Sequence, residues 1–382
     1  MPEPVRLNWG KTTIVIGVGC FDKIAADIRP RIEHAPGPIT VFSGRKAMRE
    51  LGFLDNLVSQ FSPRKIEIFE GIGSDPTVNS CQLAVDFLRK VRPACIIALG
   101  GGSVIDTAKV AQITAATQNS VGDLLHNTAA KPQYNLADTF IAVPTTAGTG
   151  SEVTPFATVW DFAAPKKYSI DNSLLLPTHA YIDARLSVSL SESQTQATAG
   201  DALAHAMESV WSKPNQFFTQ ALAGQAIRLI VKTLPLVLKD PSCVDARQRM
   251  AWASLLAGMA ISYTRTAAAH AISYPITLNY RVPHGRAVAN LLPHVLKENL
   301  ASLGEEQVDL LCDCFSTGRK DLVQACKTFL AQTGILQPWR DFGVQESDIA
   351  SLARQSNTPG RLDNNIQKLS VGDIERVITA AL

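Results

Sequence analysis

The run Cys95-Ile-Ile-Ala-Leu99, continued by Gly100-Gly-Gly-Ser103 and then Val104-Ile-Asp-Thr-Ala-Lys109, decides the fold. Five apolar residues closed by three glycines read as a buried strand that turns at once into a helix, because Val104, Ala108 and Ala111 recur at helical spacing. A tight turn needs one glycine. Three let the backbone approach a pyrophosphate, while the unpaired N–H groups and the dipole at the helix start favour the anion. Similar apolar runs stand at 12–16, 39–42, 66–69 and 140–143, and 78–92 reads helical with Leu83, Val85, Leu88 and Val91 on one broad face. Strands alternating with helices predict an open α/β sheet with its ligands at the carboxyl edge.

After Ser191 the texture changes and helical periods take over. Ser191-Glu-Ser-Gln194 has the hydroxyl and early acid of a helix start. Ala223, Ile227, Ile230 and Leu234 keep helical spacing up to Pro235, where the pattern predicts an interruption. The expected fold is therefore α/β, with a Rossmann-like parallel-sheet dinucleotide domain over 1–190 and an all-helical metal-binding and substrate domain over 191–382.

Composition narrows the partners. At 382 residues two cores can be buried, and a net charge of +2 with scattered basic residues gives no nucleic-acid footprint, so a small molecule is expected. The seven cysteines, at 20, 81, 95, 243, 312, 314 and 326, are irregularly spaced and several lie in apolar runs. They read as free thiols in a reducing compartment, with Cys312-Asp-Cys314 too close for a zinc ribbon or a redox pair. The start carries no basic-then-apolar leader, and the longest apolar stretch, around 251–260, is too short for a bilayer. A cytoplasmic protein with no membrane partner is expected.

Three further constellations carry chemistry. In Asp201-Ala-Leu-Ala-His205 the two polar side chains stand one helical turn apart and can reach one cation. His270, after an alanine-rich run, and His284, between Pro283 and Gly285, could complete a set of one carboxylate and three imidazoles suited to Fe2+ or Zn2+. The pair alone is a loose motif that chance also supplies. Pro144-Thr-Thr-Ala-Gly-Thr-Gly-Ser-Glu152 ends a strand with hydroxyls that could bond a ribose or a nicotinamide amide, though a polar turn has the same composition. Gly17-Val-Gly19 follows the first strand, but Asp22 stands where a dinucleotide fingerprint has its third glycine, so a hairpin turn reads equally well.

Taken together, the glycine loop, the hydroxyl loop and the Asp201, His205, His270, His284 set resemble, in order along 17–290, the iron-activated (type III) alcohol dehydrogenase family. The resemblance implies a dinucleotide domain followed by a helical metal domain, an active site in the cleft between them, and a homodimer. It implies that Gly101, Gly102, Ser103 and Asp106 form the cofactor-phosphate loop, that Thr145, Thr146 and Thr149 form the nicotinamide-side loop, and that Lys167 lies near the ribose. It makes Asp201, His205, His270 and His284 the metal ligands, Fe2+ before Zn2+.

Two departures sharpen the expectation. Where NAD-using members carry an acid after the second strand, this chain has Phe42-Ser43-Gly44-Arg45-Lys46, so Ser43, Gly44 and Arg45 favour NADP(H) over NAD(H), with Arg45 or Lys46 placed to pair with a 2′-phosphate. Four residues after His270, where many members have another histidine, stands Tyr274, which makes His270 and Tyr274 the expected catalytic pair, the latter in a proton relay. The implied reaction is aldehyde to primary alcohol, the metal polarising the carbonyl and the nicotinamide delivering hydride.

The segments His270-Ala-Ile-Ser-Tyr-Pro275, Val282-Pro-His-Gly285 and Glu208-Ser-Val-Trp-Ser-Lys213 look like the branch that interconverts phosphonoacetaldehyde and 2-hydroxyethylphosphonate. Arg265, Arg281 and Arg286, near the histidines in sequence, are candidates for a cationic clamp. Short-chain alcohols are the alternative substrate. A lyase of the dehydroquinate synthase type, which recycles its nicotinamide, and a non-catalytic nucleotide binder are the readings from other classes.

Overall fold

A computed structural model describes residues 3–126 and 132–382. The chain divides into two compact units, Met1–Thr146 with Ser151–Ser189, and Ala147–Gly150 with Leu190–Leu382.

The first unit is built on a seven-stranded sheet. Its strands are β1 (Val5–Trp9), β2 (Thr12–Ile16), β3 (Ile39–Gly44), β4 (Ile66–Ile72), β5 (Cys95–Gly100), β6 (Thr139–Pro144) and β9 (His179–Ile182), and β7 (Phe156–Asp161) with β8 (Lys166–Asp171) forms a separate antiparallel hairpin. The order β1-β2-β9-β6-β5-β3-β4 is parallel throughout except for β1. Helices α1 (Ile24–Ile32), α2 (Ala47–Glu50), α3 (Phe53–Gln60), α4 (Val78–Val91), α5 (Gly102–Ala115) and α6 (Val121–His126) accompany it.

The unbroken apolar runs follow from burial on both faces. In β5, Ile96 and Ala98 join a core with Val85 and Leu88 of α4 and Ile105 and Ala108 of α5, whereas Cys95, Ile97 and Leu99 join one with Ile24 and Ile28 of α1 and Leu54 and Leu57 of α3. A strand sandwiched in this way has no polar face to alternate with. The inward stripe of α4 is Cys81, Ala84, Val85 and Leu88, and Leu83, expected on that face, is 54% exposed. Thr77 and Ser80 form a capping box at its start.

Strand order reverses between β3 and β5: the chain steps from β3 outward to β4, then returns to place β5 on the other side of β3. The carboxyl ends flanking this switch are Ser43-Gly44 and Gly100-Gly101, and a crevice at such a point is where open α/β sheets take ligands. Gly17 and Gly19, after β2, lie away from it.

The second unit is helical, with α7 (Glu192–Trp211), α8 (Phe217–Lys239), α9 (Val244–Thr264), α10 (Ala268–Tyr280) and α11 (His284–Asn299) followed by shorter helices. Ser191 caps α7 in a box with Gln194. The predicted break at Pro235 does not occur, because Leu234 and Val237 stay anchored in the core while the ring faces outward, and α8 continues to Lys239. By length and composition α8 passes for a membrane span, yet Ala223, Ile227, Ile230 and Leu234 belong to the core of this unit.

Candidate metal centre and cofactor edge

Asp201 and His205 lie one turn apart on α7, buried to 5% and 6% exposure. His270 comes from the first turn of α10 and His284 opens α11 directly after Pro283. Glycine makes this convergence sterically feasible. A Cβ on Gly285 would fall on the Ala197 carbonyl, and one on Gly200 would stand 2.9 Å from the Gly285 carbonyl, so α11 meets α7 at backbone contact and carries His284 over Asp201.

Three of the four residues bring their donors together, and His205 reaches the same carboxylate oxygen. Asp201 Oδ1 stands 3.7 Å from His205 Nε2, 3.6 Å from His270 Nε2 and 3.9 Å from His284 Nε2. The ligand atoms of Asp201, His270 and His284 all lie within 4.8 Å of one another. These separations exceed hydrogen bonding but approach the roughly 3.4 Å between donors that a tetrahedral cation at about 2.1 Å would set. Asp201 Oδ1 and His270 Nε2 are buried atoms with no hydrogen-bond partner, which is costly for a protein that gains nothing from it. One carboxylate with three imidazoles is a borderline donor set, so these residues fit a divalent Fe or Zn ion.

Electrostatics agree. Burial would raise the Asp201 carboxyl, but the imidazoles of His205, His284 and His270 outweigh it and hold it below the usual carboxylate range. Burial opposes charge on His270, yet Glu208 and Asp201 overcome it and push its pKa up to about 10, while burial keeps that of His205 down. The shifts come from one buried carboxylate facing several imidazoles, and such clusters of coupled, perturbed groups mark candidate functional sites.

Tyr274 packs against the set, its ring 5.8 Å from His284 at a 27° tilt and 6.5 Å from His270. Sequence reasoning left Glu208 without a role. It lies on the Asp201 stripe of α7, three residues after His205, a spacing that could have flagged it, and its carboxylate takes a 2.6 Å bond from His270 Nδ1.

At the sheet edge, Gly101 starts α5 without a side-chain cap and leaves room against Thr146, where a Cβ would meet Thr146 Cγ2 at 3.2 Å. The Thr145 amide bonds the Gly100 carbonyl at 3.0 Å, so the two loops are adjacent. The glycine pair after β2 differs: the Asp183 carboxylate accepts from the amides of Gly19 and Phe21, at 2.8 and 3.3 Å. That turn already holds its own anion, whereas Gly101 at the start of α5 makes no side-chain cap. Thr149 belongs to Ala147–Gly150 of the second unit, where Gly148 sits against Thr198 and Gly150, at φ 61°, against Gly258.

The remaining positions are as follows. Ser103 and Gly102 lie in the first turn of α5, with the Ser103 hydroxyl donating to the Ser74 carbonyl. Asp106 accepts from the Ser151 hydroxyl and, at 2.8 Å, from the Thr158 amide, so its carboxylate braces β7. Fully buried Lys109 donates to the Thr154 and Phe156 carbonyls, each at 2.8 Å, and burial lowers its pKa to about 8; burial raises that of Glu152 to about 7. Lys167 of β8 is half-buried and donates to Ser169 Oγ at 2.9 Å. Ser43 is buried, Gly44 ends β3, and the exposed Arg45 lies over Gly73 beyond β4, its Nη2 3.4 Å from where a Cβ would stand.

The arginine clamp is corrected at Arg286. Arg286 is buried and donates to the Gly334 and Ile335 carbonyls, at 2.8 and 3.2 Å, and to Gln196 Oε1. Its donors are committed to the fold. Arg265 and Arg281 are exposed and adopt φ of 60° and 59° at the ends of α9 and α10.

Comparison with known proteins agrees with this geometry. Residues 11–184 match the iron-containing alcohol dehydrogenase family, and residues 195–382 match the C-terminal part of the Fe-containing alcohol dehydrogenase family. The 1,3-propanediol dehydrogenase of Klebsiella pneumoniae is 33% identical over 348 residues, covering 88% of this chain and 89% of that protein. The aldehyde-alcohol dehydrogenase of Streptococcus pneumoniae serotype 4 is 35% identical over 265 residues, which take in 66% of this chain but only 30% of that protein. Sulfoacetaldehyde reductase from Bifidobacterium kashiwanohense, solved in complex with NAD+, superposes with a TM-score of 0.88 at 27% identity, covering 98% of each chain. On these matches, the chain belongs to the iron-containing alcohol dehydrogenase family.

Proposed function

We propose that the chain is a metal-dependent oxidoreductase that interconverts an aldehyde and a primary alcohol with NADP(H), and that its aldehyde is phosphonoacetaldehyde, reduced to 2-hydroxyethylphosphonate. The observation that carries the reaction class is the convergence of Asp201, His205, His270 and His284, whose donors stand 3.6–3.9 Å from Asp201 Oδ1. When bound, the cation supplies Lewis-acid polarisation of a carbonyl and the nicotinamide supplies hydride.

The chain's own residues do the rest. Asp201, His205, His270 and His284 hold the cation, and Tyr274, packed on His270 and His284, is placed to pass a proton to the reduced oxygen. Gly101, Gly102 and Ser103 receive the pyrophosphate on the uncapped start of α5, with Asp106 acting as the brace that fixes that helix to β7. Thr145, Thr146 and Thr149 offer hydroxyls on the nicotinamide side and Lys167 serves the ribose. Gly44 brings no acid to the adenosine end and Arg45 is exposed there, which supports a 2′-phosphate. Replacing Gly44 with Asp is expected to raise KM for NADPH tenfold or more, by about 1.4 kcal/mol of repulsion, and to spare NADH; equal loss with both cofactors would contradict this assignment.

The two-carbon anionic aldehyde is supported by the likeness to a sulfoacetaldehyde reductase, whose substrate also pairs an aldehyde with a tetrahedral oxyanion. The likeness to 1,3-propanediol dehydrogenase favours a second reading, a short uncharged alcohol. Steady-state kinetics decide between them. If phosphonoacetaldehyde is the substrate, its kcat/KM exceeds that of propionaldehyde, and Arg265→Gln or Arg281→Gln raises its KM without touching that of the neutral aldehyde. A preference for propionaldehyde that neither variant alters would establish the second reading.

The homodimer and the cytoplasmic setting belong to the same proposal. The free state of all seven cysteines suits a reducing compartment. Light scattering of the purified protein tests the dimer.

A further inference from the structure

Glu208 has no exposed surface, and its carboxylate receives three bonds from one stretch of chain: His270 Nδ1 at 2.6 Å, the Ala267 amide at 2.7 Å and the His270 amide at 3.2 Å. It therefore does two things at the start of α10. It caps the helix, and it fixes the imidazole. A carboxylate that accepts from two backbone amides accepts from the ring as well, so Nδ1 of His270 carries a hydrogen and Nε2, the atom 3.6 Å from Asp201 Oδ1, is left as the ring's ligand atom.

We propose that Glu208 is a positioning residue of the cation site: it presents the Nε2 lone pair of His270 inward and, with Asp201, supplies the second negative charge that makes a divalent cation electroneutral there. The inference rests on the metal reading above. An alternative is that Glu208 only secures the loop before α10. That loop has an independent anchor, since Asn364 Nδ2 bonds the Thr264 and Thr266 carbonyls at 2.7 and 3.0 Å without touching His270.

The two anchors can be separated by metal affinity. Zn2+ and Co2+ dissociation constants are measured in chelator-buffered titrations for the wild type, Glu208→Gln and Asn364→Ala, together with the melting temperature of each metal-free protein. Glu208→Gln keeps the shape but removes the charge, and is expected to weaken both metals by about 10–100-fold, while Asn364→Ala stays within about 3-fold of wild type although it loosens the same loop. Wild-type affinity in Glu208→Gln, or an equal loss in Asn364→Ala, would overturn the role. Should Glu208→Gln fail to fold, imidazole 15N shifts of the zinc-loaded wild type give the answer: hydrogen on Nδ1 of His270 supports the proposal and hydrogen on Nε2 refutes it. A wild type that binds neither metal defeats the metal reading itself, and the role of Glu208 with it.

Discussion

Gly285 and Arg286, adjacent in sequence, illustrate how little neighbourhood along the chain says about role. Gly285 has no side chain, yet the site depends on it, because only its bare Cα lets α11 touch the Ala197 carbonyl and deliver His284. Gly285→Ala must push the helices apart; it is expected to destabilise the protein by about 2–4 kcal/mol and weaken cation binding, measured by urea denaturation and metal titration. Arg286, a charged residue beside a ligand, instead ties down Gly334, Ile335 and Gln196. Arg286→Met leaves these buried acceptors unpaired and should cost about 2–4 kcal/mol of stability. The KM for an aldehyde should not change, and a selective rise for phosphonoacetaldehyde would restore Arg286 to the clamp.

Elements were legible where one physical signal dominated. The parallel strands announce themselves because both faces are buried, and α7 because its capping box precedes the ligand pair. Sequence reasoning missed β7 although Phe156–Trp160 is largely apolar, whereas β8, with Lys166, Lys167 and Asp171, is partly exposed and has no apolar run, and β9 has only four residues with a histidine and a tyrosine among them. The Asp201–His205 pair is a loose motif by itself, and the four ligands were legible only because the glycine loop, the hydroxyl loop and the two later histidines follow in the order of a known family. Asp183, which caps the Gly17 turn, was not legible, since an acid that accepts from backbone amides has no sequence pattern of its own, and Glu208 had only its helical spacing from Asp201 and His205 to mark it. Helix α8 shows the opposite failure: a strong local signal, Pro235, lost to tertiary packing. The missing N–H still has its cost. Pro235→Ala, at an exposed site, should therefore stabilise the protein by about 1–3 kcal/mol in urea denaturation, and a neutral or destabilising result would mean that the ring packs to advantage.

At the scale of the whole molecule, two histidines outside the site, buried His179 and half-buried His294, couple stability to pH. Burial brings His179 and His294 down to about 4, with nearby Arg31 and Lys327 adding repulsion. Unfolded, each titrates near 6.5, so the unfolded chain binds more protons between those values. Their contribution is intact above about 6.5 and is lost as pH falls towards 4. The melting temperature of metal-free protein should fall across that window, and His294→Gln should flatten the decline; an unchanged slope would show that His294 titrates normally.

All of this serves one centre, where two helix starts and one helix face bring a carboxylate and three imidazoles around a shared point. The most direct test measures bound metal by atomic emission and NADPH oxidation with aldehyde, side by side, in wild type and His270→Ala reconstituted with Fe2+ or Zn2+. The account predicts about one cation per chain in wild type and the joint loss of metal and turnover in His270→Ala. Full turnover by metal-free His270→Ala would contradict it.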